Sequence, residues 1–473
     1  MASSYSQLAY TPPSNSKEYY PPQPSIEGTA CLLGSMALAY VQYGSQSTAT
    51  EMAAAVADLV GIGFLLSLFF DSRQGLRNLF RTDVLCIFAI YALTLLEFLF
   101  PQPNFVEKAT VEQTALAINI VLLGMASLVV GRHLIQHKST STSWLVLTDL
   151  SSKALFRVFL VASALGYGHK LISVQFNLLT MIDAMMAPRF SQPWSRGRLG
   201  GLSSLFIELA LMTYVIPPLA AVIWNQRRSF SVAQVAIVMS IFSFTLFQGF
   251  ASGTRNIFIS YMATFIMGYV LTIRKNTFMN TIVPILIAAF VCVYGSYHML
   301  EFRNMGLRNY VEDKVYAQER GGSDTFAVDY NLASIGWVAE AIPENFPFLG
   351  HEVAVWAVVK PIPRVLWSGK PEGLSVSIEE IAGADGWTVA ATYLGESYMM
   401  AGMFGVVATS MLFGAIAAWW NQMAMRQQSD YALVVYALGF FAAGITMRSM
   451  FWFTTTILPV IALIVLRKYG PFK

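Results

Sequence analysis

Charge is scarce in this chain: Asp, Glu, Lys and Arg make up 12% of its 473 residues, against 55% hydrophobic and 14% aromatic. So few charges cannot clothe a soluble surface, and a mean hydropathy of +0.54 marks a polytopic membrane protein. Signatures of several chemistries are missing too. There is no Gly-rich phosphate loop followed by Lys and Ser or Thr, which disfavours an ATP-driven pump. No Asp-x-Asp pair occurs and no His/Cys cluster has metal-ligand spacing. A metal-dependent nucleotide-sugar transferase is therefore disfavoured, and phosphate chemistry would rest on cationic side chains alone. The three cysteines, Cys31, Cys86 and Cys292, lie inside apolar runs, where a thiol behaves as a small apolar group and implies no disulfide or metal framework. At a net charge of +3 there is no nucleic-acid-binding patch. The first 27 residues lack an apolar core ahead of a cleavage site. Rich in Ser, Tyr and Pro, they read as a disordered cytoplasmic tail and not as a signal peptide.

What the chain has in quantity is apolar runs. A helix needs about 20 residues to cross a bilayer, and twelve runs approach or exceed that length: 31–43, 53–70, 84–100, 115–130, 155–167, 202–224, 232–250, 257–272, 282–300, 389–419, 431–443 and 450–466. The first, fifth and eleventh are short. The expected fold is an all-α bundle of about 12 transmembrane helices: a tail over 1–27, nine spans over 28–300, a long loop with short helices over 301–388, and three spans over 389–473. Lys and Arg resist translocation, so their distribution over short loops sets orientation. With the N-terminus inside, Arg73, Arg77, Arg81, Arg132, Lys138, Lys153, Arg227, Arg228, Arg274, Lys275, Arg426, Arg467 and Lys468 all fall in the cytoplasm. An even number of spans returns the C-terminus there and faces the 301–388 loop outward.

The outward basic residues cut against that rule. Between the fifth and sixth spans stand Arg189, Arg196 and Arg198; Arg255 follows the seventh span, and Arg448 ends the eleventh. The long loop adds Arg303, Arg308, Arg320 and Arg364. A guanidinium matches phosphate oxygens two at a time, so a phosphate-bearing ligand at the outer face accounts for the pattern. Pairing with the numerous acids of the same loop accounts for part of it equally well.

Proton acceptors on that side are fewer. Glu396, in Thr392-Tyr393-Leu394-Gly395-Glu396-Ser397-Tyr398, lies near the outer mouth of the tenth span, where a carboxylate is costly unless it faces a cavity or a partner. It is either a general base or one half of an ion pair with Arg255, Arg364 or Arg448. His351 and His298 are further candidate bases, with a hydrogen-bonded structural role as the alternative for each. Asp183 and Glu208 belong to no recognisable constellation.

Ile362-Pro363-Arg364, Trp367 and Lys370-Pro371, followed some twenty residues on by Thr392, Gly395-Glu396, Tyr398, Gly402 and Gly405, resemble the Wzy-type O-antigen polymerases, the oligosaccharide repeat-unit polymerases of bacterial inner membranes. The detailed likeness covers some 45 residues, and Ser368 stands where a proline often follows the motif tryptophan. The resemblance implies a metal-independent glycosyltransferase that needs no cofactor. It would move a growing chain from undecaprenyl diphosphate to a hydroxyl of the next lipid-linked unit, for lipopolysaccharide or exopolysaccharide biosynthesis, with membrane lipid and a chain-length regulator as further partners. Such chemistry requires a base for the hydroxyl and cations for the departing diphosphate. The expected base is Glu396, then His351. The expected diphosphate ligands are Arg255, Arg364 and Arg448, with Lys370, Arg189, Arg196 and Arg198 secondary. Trp367 and Tyr398 would face sugar, although Trp367 equally suits a membrane-interface anchor. Two rivals are an O-antigen ligase-like lipid-linked glycan transferase and a secondary transporter or flippase.

Overall fold

The computed structural model describes residues 23–135, 147–188, 191–194, 208–273, 277–303, 305–312, 330–362, 367–383, 389–426 and 429–470. Every regular element among them is a helix. In chain order they are α1 (Ile26–Tyr43), α2 (Ala49–Ser72), α3 (Thr82–Thr94), α4 (Val111–Gly131), α5 (Ser152–Ser173), α6 (Leu178–Met185), α7 (Ile216–Asn225), α8 (Val232–Ala251), α9 (Arg255–Thr272), α10 (Phe278–Phe302), α11 (Leu307–Glu312), α12 (Asn331–Ala341), α13 (His351–Val359), α14 (Ile378–Ile381), α15 (Thr392–Arg426), α16 (Asp430–Arg448), α17 (Phe453–Thr456) and α18 (Leu458–Tyr469). Eight stretches are long and apolar enough to cross a membrane: α2, α4, α5, α8, α10, Thr392–Met423, α16 and Met450–Tyr469. Thr82–Thr94 and Ala210–Asn225 are shorter apolar helices. The chain is thus a polytopic membrane protein of all-α architecture.

Hydroxyl caps lengthen the runs that looked short. Ser25, Ser151 and Ser429 each accept the backbone N–H three residues on, satisfying a donor that the first turn leaves unpaired. The resulting helices are 18, 22 and 19 residues long. Four other runs are interrupted. Residues 96–99 leave the third span as a short 3-10 turn, the sixth run enters α7 through a 3-10 segment at Ala210–Val215, and the twelfth is divided among Met450–Trp452, α17 and α18. The tenth run is broken at Ala401 and Gly402, inside α15.

Two apolar cores share the chain. One gathers α1 to α4 with α12, α13, α15 as far as Ala417 and Met447 of α16; the other gathers α5 to α9, the rest of α16 and α18 with Trp420 and Met423 of α15. Helix α15 therefore stitches the two halves together. A small third core, Phe258, Met299, Phe302 and Met305, joins α9 to the end of α10. Much of the rest of α10 is exposed, with Leu286, Phe290, Val293, Tyr294 and Tyr297 uncovered.

The two ends of the bundle differ. At the end where α10 finishes and α15 begins, here the loop end, α12 is buried and not draped over the surface. Asn331 Nδ2 donates to Leu93 O (2.9 Å), Trp337 Nε1 to Lys108 O (2.9 Å) and Gln113 Nε2 to Glu340 Oε2 (2.6 Å). The opposite end holds an ionic network from which water is excluded. Arg81 bonds Asp71 at 2.7 Å and Asp83 at 3.1 Å, and Arg132 approaches Asp83 at 3.4 Å; all four side chains are 1% exposed or less. Asn421 Nδ2 donates to Asp83 Oδ1 (2.6 Å), while Thr82 N–H donates to Asn421 Oδ1 (2.7 Å). Ser25 Oγ donates to Asp71 Oδ1 (2.6 Å), and Arg132 Nη2 donates to Thr29 Oγ1 (2.6 Å). Residues 23–27, assigned from sequence to the tail, are thus ordered by this network: Arg81 Nη1 also donates to Gln23 O (3.0 Å).

Candidate active site

The site region grows from the break in α15. Gly402 has φ 60° and ψ −146°, a backbone region that a Cβ makes costly, and Ala401 (φ −159°, ψ 35°) is also outside the helical well. A broken helix leaves carbonyls without partners. Here Leu349 N–H donates to Met399 O (2.9 Å) and Gly350 N–H to Met400 O (3.0 Å), which docks the start of α13 on the break. The Phe348 ring lies against Gly402, 3.2 Å from where a Cβ would stand, and meets Tyr398 edge-on at 6.2 Å.

Glu396 sits one turn before that break and is 3% exposed. Among the described residues its carboxylate is held by neutral donors and not by an arginine. Ser449 Oγ donates to Oε1, and Met450 N–H donates to Oε2 at 2.6 Å. Both oxygens are engaged, so the side chain fastens the turn after α16 to the short N-terminal part of α15. Arg448 is the last residue of α16, immediately before Ser449, and is half-buried. Glu396 therefore fixes the backbone on which Arg448 is mounted.

A lysine overlooked in the sequence completes the corner. Lys360 caps α13, its Nζ lies 4.0 Å from the Trp452 ring centroid, and its charge acts on the Glu396 carboxylate. Lys370 Nζ donates to Lys360 O (2.6 Å) and Ile362 O (2.9 Å) and stands 5.4 Å over Trp356. Thr454 Oγ1 donates to Ala357 O (2.6 Å), tying α17 to α13. Lys360, Lys370 and Arg448 are thus mounted on segments that converge beside Glu396. The signal for Lys360 was its place two residues before the Ile362-Pro363-Arg364 string; nothing local marked Ser449.

Of the other expected residues, some are placed at the same end and some lie beyond the described chain. His351 is exposed at the first position of α13, beside the break. Trp367 is 40% exposed and Tyr398 half-buried. Arg255 opens α9 at the same loop end, half-buried, after a turn whose Gly253 (φ 62°) lies against Arg303; a Cβ there would be 3.1 Å from Arg303 Cα. Arg364, Arg189, Arg196 and Arg198 fall outside the described residues. Of the weaker candidates, Asp183 pairs with Arg308 at 3.6 Å.

Residues 333–458 match the family described as Domain of unknown function (DUF8712), a stretch that contains Lys360, Glu396, Arg448 and Ser449. No curated protein and no solved structure matches the chain.

Proposed function

We propose that this chain polymerises lipid-diphosphate-linked oligosaccharide repeat units at the outer face of a bacterial inner membrane. The observation that carries the reading is the corner at which Lys360, Lys370 and Arg448 are anchored around the closed Glu396 turn. Preorganised cations stabilise a diphosphate as it takes the electrons of the breaking C1–O bond, and they do so best where surrounding structure holds them fixed. Arg255, Arg364 and Arg448 bind the donor diphosphate, with Lys370, Arg189, Arg196 and Arg198 as secondary contacts. Glu396 positions Arg448, while Trp367 and Tyr398 face sugar. In this reading α1, α3, α9 and the 208–225 segment join the eight long stretches to give twelve crossings. Both termini are then cytoplasmic and the loop end is periplasmic.

The glycan profile of cells lacking the chain, complemented with wild type, Arg255→Ala, Arg364→Ala or Arg448→Ala, tests this. Wild type should restore a ladder of repeat lengths. Membrane-localised variants should lose polymer by about 100-fold, the usual effect of deleting one charge-stabilising donor. Polymer that persists without the chain overturns the reading, and transfer of a single unit by the wild type indicates a ligase.

A further inference from the structure

Glu396 lies buried with a donor on each oxygen, so a more exposed group is better placed to take the proton of the acceptor hydroxyl. One stands at the loop end of α10. His298 Nδ1 lies 3.0 Å from Glu301 Oε2, one turn apart on the same helix, and the Tyr310 hydroxyl of α11 donates to that same oxygen. Tyr310 is brought back by the turn at Gly306, whose N–H donates to Phe302 O (2.7 Å), and α11 is pinned by Arg308 N–H to Met186 O (3.2 Å). The Glu301 bond, with burial second, pushes the Tyr310 phenol up to about 12, so it stays a donor at physiological pH. A histidine whose Nδ1–H is committed to a carboxylate presents Nε2 as a base in a fixed orientation. The imidazole is 29% exposed, unlike the Glu396 carboxylate.

Its surroundings suit a sugar. Tyr294 and Tyr297 set their rings edge-on to the imidazole at 4.6 and 5.4 Å, and are 59% and 60% exposed. Such rings offer apolar faces with a polar edge, which matches the C–H faces and hydroxyls of a pyranose. The donor side is near at hand, because the Gly253 turn that precedes Arg255 lies against Arg303, just past the end of α10.

We infer that His298, oriented by Glu301 and Tyr310, is the general base for the acceptor sugar, and that Tyr294 and Tyr297 wall the acceptor site. The inference rests on the polymerase reading. The acceptor oxygen bonds to the donor's anomeric carbon as its proton passes to His298 Nε2. The bond from that carbon to the phosphate oxygen breaks, and the lipid diphosphate leaves with the electron pair. Glu301 and Tyr310 are positioning residues, and they stabilise the imidazolium that forms.

The test uses full-length chain in membranes of the complemented deletion cells, reading polymer ladder, membrane abundance and thermal stability. His298→Gln should keep abundance and stability yet lose polymer by about 100-fold or more, the range of general-base catalysis. Added imidazole should restore part of the ladder to His298→Ala and none to Arg255→Ala. A full ladder from His298→Gln overturns the inference and leaves the polymerase reading standing. Loss in His298→Gln without imidazole rescue of His298→Ala assigns a structural role and overturns it as well. If wild type itself restores no ladder, both fall together.

Discussion

At the scale of single residues, Glu396 turns on a distinction between carboxylates that react and carboxylates that hold. A general base must reach the proton it takes, and this one is 3% exposed and accepts a donor from the turn after α16 on each oxygen. Truncation would strand two buried donors, each costing about 1–3 kcal/mol. Glu396→Ala should therefore lower unfolding free energy in detergent by about 2–6 kcal/mol, the lower end reflecting partial relaxation. Glu396→Gln keeps one acceptor and should recover at least half of that. Equal stability of the alanine variant and wild type in a denaturation series would refute the holding role.

At the scale of elements, the break in α15 sets the site. A continuous helix would carry Glu396 and Tyr398 along one rod, whereas the break frees two carbonyls that α13 then claims. Gly402 permits it, at φ 60° and ψ −146° with Phe348 close by. Gly402→Ala should cost about 1–3 kcal/mol through backbone strain, and should also diminish polymer by loosening α13 and Lys360. Gly34→Ala, in an open position of α1 with nothing within 4 Å of the new methyl, should be neutral or stabilising. Thermal unfolding of the two variants side by side separates strain from a generic glycine effect.

At the scale of the whole molecule, the ionic network fastens α1 to α4 to the far end of α15 through Asn421 and, through the Tyr436 hydroxyl that donates to Asn421 Oδ1, to α16. Two arginines and two aspartates balance inside a space from which water is excluded. Buried charges are costly to unpair even when the pair itself adds little net stability, so removing one partner costs about 3–5 kcal/mol. Asp83→Asn leaves Arg81 and Arg132 facing one acid and should show that loss in detergent unfolding. Adding Arg132→Met restores one cation to one anion and should recover a large part of it. Additive losses in the double variant would mean that the charges act independently.

Composition and the apolar runs are local properties, and from them the sequence by itself determined an all-helical membrane protein and the approximate place of most of its helices. The string around Pro363 and Glu396 was also local, and it drew attention to the segments that converge. Tertiary structure alone decided what Glu396 bonds to, because Ser449 lies 53 positions away and carries no signal of its own. It alone decided that arginines counted as orienting charges are sealed into a network, since Asp83 and Asn421 stand 338 positions apart. A hydrophobicity pattern records which face of a helix avoids water. Which polar groups meet when those faces close depends on contacts between distant segments, and no single segment encodes them.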